Sequence, residues 1–361
     1  MAISYLDAKR IRALSTDTLP TNVPSGTIAE LTDVYFYTWF DGTDWLPVYE
    51  SVPLSGSHGY IFGGHAGTSG GDHSGITELQ LGVDATSEHK ALQGTSTSRG
   101  SSAQTKTLIL TMGGNNGAGN SLSNMRNQIQ EYTIGSDVDS STKAILWYKI
   151  SQQMTRCYSN THAYMMGGNK EYDPSDVTNY IQEYEIGTTT TATQHNSRMT
   201  SEGSLLNSSG GTDGTYCYTL GGQIGSSLTL NIDMFEMGTN TRADDKGNIS
   251  EATSTIYAVQ NTVLLIGMGG NNGNSSNDYH VSKVDEYTMA STGNATDKGD
   301  LLETAQSGGS VAQDGTYGYA VGGYDDYLVQ QYQFGTTTQT NNDGDLHTNV
   351  GNCCAGGSGT P

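Results

Sequence analysis

An all-β fold assembled from six copies of one four-stranded unit is what this sequence predicts, and three observations predict it. The composition disfavours helices: Gly contributes 48 of 361 residues, hydrophobic residues 34% and charged residues 15%. Much of the rest is Ser, Thr and Asn, which favour turns and strand edges over helix interiors. One pattern then returns six times, an apolar or aromatic strand ending in Gly-Gly, a polar loop, and a second strand of the form I-x-E-Y-x-I-G. Finally, Gly63, Gly113, Gly167, Gly221, Gly269 and Gly322, which open the successive Gly-Gly pairs, lie 50, 54, 54, 48 and 53 residues apart. That period suits a β-propeller blade and exceeds helical and leucine-rich repeats.

The elements follow in order. The Gly-Gly strands read GYIFGG, LILTMGG, AYMMGG, CYTLGG, LIGMGG and GYAVGG. Their partners read ITELQLG, IQEYTIG, IQEYEIG, IDMFEMG, VDEYTMA and VQQYQFG, beginning at Ile76, Ile129, Ile181, Ile232, Val284 and Val329. A turn-rich stretch such as Asn294–Leu301 and a small-residue strand such as Ala305–Ala312 complete the unit. Small residues suit the strand nearest an axis, where backbones crowd. The first unit lacks a GDL segment, while the tail Asn341–Gly359 carries one. The tail is therefore expected to close the ring by supplying the outer and innermost strands of the blade begun by Gly59–Gly82. The expected fold is a six-bladed β-propeller over residues 51–361, preceded at 1–50 by a short basic segment and an aromatic β-meander. In that meander Val34–Phe40 and Trp45–Tyr49 read as strands joined by Asp41–Asp44.

These motifs resemble a degenerate kelch propeller over roughly residues 56–359. The departure is the missing Trp after the Tyr, since Trp147 is the lone tryptophan of the repeats. The narrower repeat, IxEYxIG followed by NATDKGDL, is similar to Gly/Ser/Thr-rich propellers in structural proteins of marine tailed viruses. The segments Lys9–Ser15, Gly26–Asp33 and Trp39–Trp45 resemble the N-terminal module of phage and archaeal-virus surface proteins. This resemblance implies a virion-attachment element, with Lys9, Arg10, Ile11, Trp39, Phe40 and Trp45 as its anchoring residues.

A net charge of −21 repels a nucleic-acid backbone. No apolar run approaches the ~20 residues of a membrane-spanning helix, and MAISYLDAKRIRALS has charges where a Sec signal needs apolar residues. Neither nucleic acid nor membrane insertion is expected. Cys157, Cys217, Cys353 and Cys354 fit no zinc spacing. No G-x-S-x-G, HExxH, P-loop or recurring acid pair points to catalysis. The sequons at Asn207, Asn248, Asn274 and Asn294 match chance in so Asn-, Ser- and Thr-rich a chain.

A residue recurring in every unit serves the unit, while one that breaks the repeat is free for function. Glu131, Glu183 and Glu286 with Tyr132, Tyr184 and Tyr287 recur, so the Tyr is expected between blades and the Glu on a neighbouring turn. The acids and glycines of Asp297, Gly299, Asp300, of Asp244, Asp245, Gly247 and of Asp343, Gly344, Asp345 read as turn chemistry. The breakers sit in the loops after Gly-Gly: Tyr172, Asp173 and Asp176; Asp278, Tyr279 and His280; Tyr324, Asp325, Asp326 and Tyr327. Such loops emerge on one face, and Tyr with planar polar groups suits a sugar ring and its hydroxyls. His65, Asp72 and His73 are weak metal candidates, and no cofactor is expected.

The resulting expectation is a non-enzymatic virion surface, head-fibre or tail protein. It would attach to other virion proteins through its N-terminus, form a homo-oligomer, and present the propeller to a host-surface glycan or protein. The alternatives are an extracellular carbohydrate-binding or carbohydrate-active propeller and an intracellular kelch-type adaptor.

Overall fold

The computed structural model describes residues 57–64, 74–116 except 85 and 97, 125–151, 156–170, 180–198, 205–273 except 226, 280–303, 310–323, 326–337, 341–346 and 355–359. In the first 52 residues it describes 4–7, 10–13, 20, 23, 24, 27–31, 36–40 and 45–48. The chain divides into two compact units, Met1–Val52 and Pro53–Pro361. Every regular element among the described residues is a β-strand.

The first unit is a five-stranded sheet in the order Ser4–Asp7, Arg10–Ala13, Ile28–Leu31, Phe36–Phe40, Trp45–Val48. The expected aromatic hairpin is present, with Phe40 opposite Trp45. The basic segment is itself sheet: Ser4–Asp7 pairs antiparallel with Arg10–Ala13, which pairs parallel with Ile28–Leu31. Three or more strands with a shared face are what such a sheet needs for stability.

The second unit contains six four-stranded antiparallel sheets, numbered here by the order of their Gly-Gly strands. The second runs Ser101–Gln104, Leu108–Met112, Gln128–Thr133, Ser141–Ile145. A short lead strand, the Gly-Gly strand, the I-x-E-Y strand and a trailing strand thus lie side by side. The third to sixth sheets repeat this order, with lead strands Cys157–Tyr158, Ser209–Thr212, Tyr257–Gln260 and Ser310–Gln313. In all six sheets a register shift interrupts the pairing of the I-x-E-Y strand with the trailing strand. The acid- and Gly-rich segments expected as turns are these trailing strands. Their turn chemistry survives locally, since Asp297 and Asp245 accept the N–H of Gly299 and Gly247 at 3.0 Å.

One expectation is corrected. The C-terminal segment gives the first sheet one strand, not two: Ala355–Gly359 pairs with His58–Phe62 as its lead strand. Asn341–Asp345 instead trails the sixth sheet, beside Asp326–Gln333. The first sheet's own trailing strand is Glu88–Leu92, whose EHKAL carries no Gly-Asp pair to mark it.

Both middle strands of each sheet are nearly continuously buried, because apolar side chains stand on both faces. Each face meets a neighbouring sheet. Tyr60 and Phe62 of the first sheet pack on Ile109 and Tyr132 of the second. Equivalent cores join the second to the third, the third to the fourth, the fourth to the fifth and the fifth to the sixth. Ile61, Leu79 and Leu81 of the first pack on Tyr319, Val321 and Val329 of the sixth.

The Gly-Gly pairs are corners whose positive φ favours glycine. Gly113 and Gly114 have φ of 65° and 95°, and a Cβ on Gly114 would stand 2.5 Å from the Ser98 carbonyl oxygen. Gly114 N–H donates to the Ile150 carbonyl at 2.7 Å, and Gly168 and Gly222 make the equivalent bond to Leu205 and Thr253. The corner thereby holds the connection entering the next sheet. The second recurring Gly, at the end of the I-x-E-Y strand, is replaced in the fifth sheet by Ala290, which keeps a φ of 59°. A non-Gly residue there costs about 1–2 kcal/mol. Urea unfolding should therefore find Gly114→Ala destabilised by roughly 2 kcal/mol or more from strain and clash, and Ala290→Gly stabilised by about 0.5 kcal/mol after glycine's entropy is deducted.

Candidate functional site

The recurring acids and tyrosines form the joints between sheets. Tyr132, Tyr184 and Tyr287 pack in the inter-sheet cores and donate to the carbonyl four residues on, at Ser136, Thr188 and Ser291, over 2.5, 2.6 and 2.7 Å. Tyr332 bonds Thr336 in the same way. Where the Gly-Gly strand has its own Tyr, that residue carries the acid toward the next sheet. Tyr164 donates to Glu183 at 2.8 Å and accepts from Gly238 N–H at 3.2 Å. In the fifth sheet, with Ile266 at that place, Glu286 accepts Gly335 N–H directly at 2.8 Å. In the fourth, Met234 replaces the Glu and an acid arrives from elsewhere: Tyr218 donates to Asp213 at 2.8 Å and accepts from Ala290 N–H at 2.8 Å. The sixth, with Gln331, pairs Tyr319 with Asp314 at 2.8 Å.

Lysines on the trailing strands neutralise these acids: Lys90 lies 3.2 Å from Glu78, Lys143 3.8 Å from Glu131 and Lys298 3.1 Å from Glu286. The third sheet has His195 in that position. It is 8% exposed, with Nε2 2.5 Å from Glu183, and it packs edge-on against Tyr164 and Phe235. Bonding to Glu183 raises the His195 pKa, and bonding to His195 lowers that of Glu183.

A second recurring joint uses an amide. Gln130 accepts Thr95 N–H and donates to Thr95 carbonyl, both at 2.9 Å, and Gln330 clamps Glu303 at 3.1 and 3.3 Å. Asp285 stands at this place in the fifth sheet. Its Oδ2 accepts Ser250 N–H at 3.0 Å, and burial raises its pKa. A small cavity lined by Glu251, Thr253, Lys283 and Asp285 lies beside it.

Gln182 makes the same joint in the third sheet. It accepts Tyr148 N–H at 3.1 Å, in the connection leaving the second sheet. Ile150–Ser151 of that connection pairs with Asn169–Lys170, just past the third Gly-Gly corner. Ile150 N–H also donates to Arg126 carbonyl at 3.2 Å, and Tyr148 Oη donates to Gln194 at 2.6 Å. On this braced segment Trp147 is 57% exposed, its ring edge-on to Tyr148 at 6.4 Å.

Among the residues expected to bind a ligand, Tyr327 is 47% exposed and His280 half-buried, with a pKa lowered by burial. Asp326 lies in the strand Asp326–Gln333, its backbone opposite Gly323. Tyr172, Asp173, Asp176, Asp278, Tyr279, Tyr324 and Asp325 lie outside the described residues, as do His65, Asp72, His73 and Lys9. Arg10 and Ile11 are in a strand, Phe40 is buried, and Trp39 and Trp45 are in paired strands. No group of three or more His, Cys, Asp or Glu converges among the described residues. Trp147 is set apart in the sequence as the one tryptophan of the repeats, but its exposure is visible only in the fold.

No family model matches the chain, and no curated protein is similar to it.

The His195–Glu183 pair has a pH signature. The raised His195 contributes stability that is full below about pH 6.5 and lost as pH rises through its higher folded value. The lowered Glu183 contributes above about pH 4.5 and loses this as pH falls through its lower folded value. The Tm difference between wild type and His195→Gln should therefore peak between those limits and shrink on both sides. A difference that is flat from pH 4 to 9 would refute the ion pair.

Proposed function

We propose that residues 53–361 form a closed six-bladed β-propeller of kelch-like type, serving as a non-enzymatic binding protein for cell-surface glycans. The cyclic sharing of cores, the sixth sheet's with the first included, supports the ring. So does the C-terminal strand's place beside His58–Phe62. The repeated acids, each engaged by Tyr, Lys, His or a backbone N–H, support a framework role over general acid–base chemistry.

The observation that carries the glycan reading is Trp147. Burying an indole removes some 150–250 Å² from water, yet here it is held out on a connection fixed from three sides. An aromatic face preorganised in this way stacks on the apolar face of a pyranose at little entropic cost. It lies at the Gly-Gly end of its sheet, as Tyr327 does near the start of the strand Asp326–Gln333 and His280 where it bridges to Asn271.

In this proposal the protein belongs to a virus particle, attached by residues 1–52 and assembled as a homo-oligomer, a reading supported by the KRI and W-F-D-G-T-x-W segments. On a glycan array the wild-type chain should bind a discrete set of sugars, and Trp147→Ala should weaken that binding roughly 5- to 150-fold with an unchanged Tm, a base-stacking-sized loss of about 1–3 kcal/mol. Equal binding by the variant would remove Trp147 from the site. Immunogold labelling of the source culture should decorate discrete particles; label confined to cell envelopes would overturn the virion assignment.

A further inference from the structure

Where the lead strands meet, one side chain carries a full charge out of water. Arg156, immediately before the third sheet's lead strand, is 3% exposed. Its hydrogen bonds are long and reach neutral acceptors on two other sheets. Nη1 donates to the Val311 carbonyl of the sixth at 3.4 Å, and Nη2 to Gln104 Oε1 of the second at 3.3 Å. Its Nε is buried with no partner. Among the described residues no carboxylate pairs with it, and Tyr158 is the one charge-bearing group that acts on it. Burial pushes the Tyr158 pKa up to about 12, so that phenol is neutral and supplies no counter-charge.

Beside the guanidinium lies a second donor without a partner, Gln104 Nε2. Its orientation is set by the other end of the amide, because Oε1 accepts both from Arg156 and from Ser358 N–H at 2.9 Å. Reversing the amide would put donor against donor. The neighbouring lead strands also bury unpartnered oxygens at Gln260 Oε1 and Gln313 Oε1, which water can satisfy. Water cannot neutralise a guanidinium, and arginine cannot shed its proton. An unpaired buried ion is among the most expensive groups a protein can hold.

We propose that Arg156 and Gln104 bind a small inorganic anion of the halide class where the second, third and sixth sheets converge. The unsatisfied groups there are N–H donors around one positive charge, so the ligand is an anion, and a monovalent one matches the charge. Bound there, it ties three sheets together and makes the stability of the repeat unit dependent on halide.

The full chain tests this in two ways. Crystals soaked in sodium bromide should give an anomalous peak within hydrogen-bonding reach of Arg156 Nε and Gln104 Nε2. In solution, replacing sodium gluconate by sodium chloride at constant ionic strength should raise Tm saturably by several degrees, and Arg156→Gln should lose the dependence. The bromide experiment needs no variant, so it decides even if Arg156→Gln does not fold. No anomalous density at the guanidinium would overturn the site, and so would a Tm indifferent to halide at fixed ionic strength.

Discussion

A sheet with apolar side chains on both faces cannot stop at one neighbour, and the rest of this structure depends on that constraint. The middle strands of each four-stranded sheet are buried on both sides, and apolar area left in water forfeits roughly 25 cal/mol per Å². In a finite row, the first and last sheets would each keep one such face exposed. Packing Ile61 and Leu79 on Val321 and Val329 covers both at once. In the ring proposed here, the lead strand donated by Ala355–Gly359 does the same for the backbone, pairing what would otherwise be an open sheet edge.

The polar joints follow from this packing. Sheets pressed face to face bring buried N–H groups of one turn against the side of the next sheet, and each needs an acceptor. The chain meets this need in several chemically equivalent ways. Glu183 acts through Tyr164, Glu286 acts directly, and Asp213 and Asp314 supply the acid where Met234 and Gln331 have displaced the Glu. An acid in every sheet is therefore a consequence of burial, and in the function proposed here ligand binding falls to residues outside the joints, such as Trp147.

The sequence made the repeated part of the fold legible because a corner such as Gly113–Gly114 requires positive φ at two successive positions, and few residues other than glycine comply. Tyr132 and Tyr184 were legible as packing residues for the same reason of recurrence. The assignment of Asn341–Asp345 was not, because Glu88–Leu92 fills the first sheet's trailing position without the acid-Gly signature that marks the later copies. Asp213 was also hidden: five residues from Tyr218, in a different part of the unit from Glu183, it takes up the same task only once the chain is folded. Arg156 reads as an ordinary basic residue until residues 104 and 311, far away in sequence, are seen to surround it. Trp147 stood out by rarity, but its exposure is a property of the brace around it.

The closing contact between the ends of the repeat unit is the central claim, and hydrogen exchange on a chain lacking residues 352–361 tests it most directly. If the sheets form a ring, protection should fall together in His58–Gln80 and in Ser310–Gln333, because losing one lead strand loosens the core those two segments share. Loss confined to His58–Phe62, with the sixth sheet as protected as before, would mean an open row of sheets and would contradict the account.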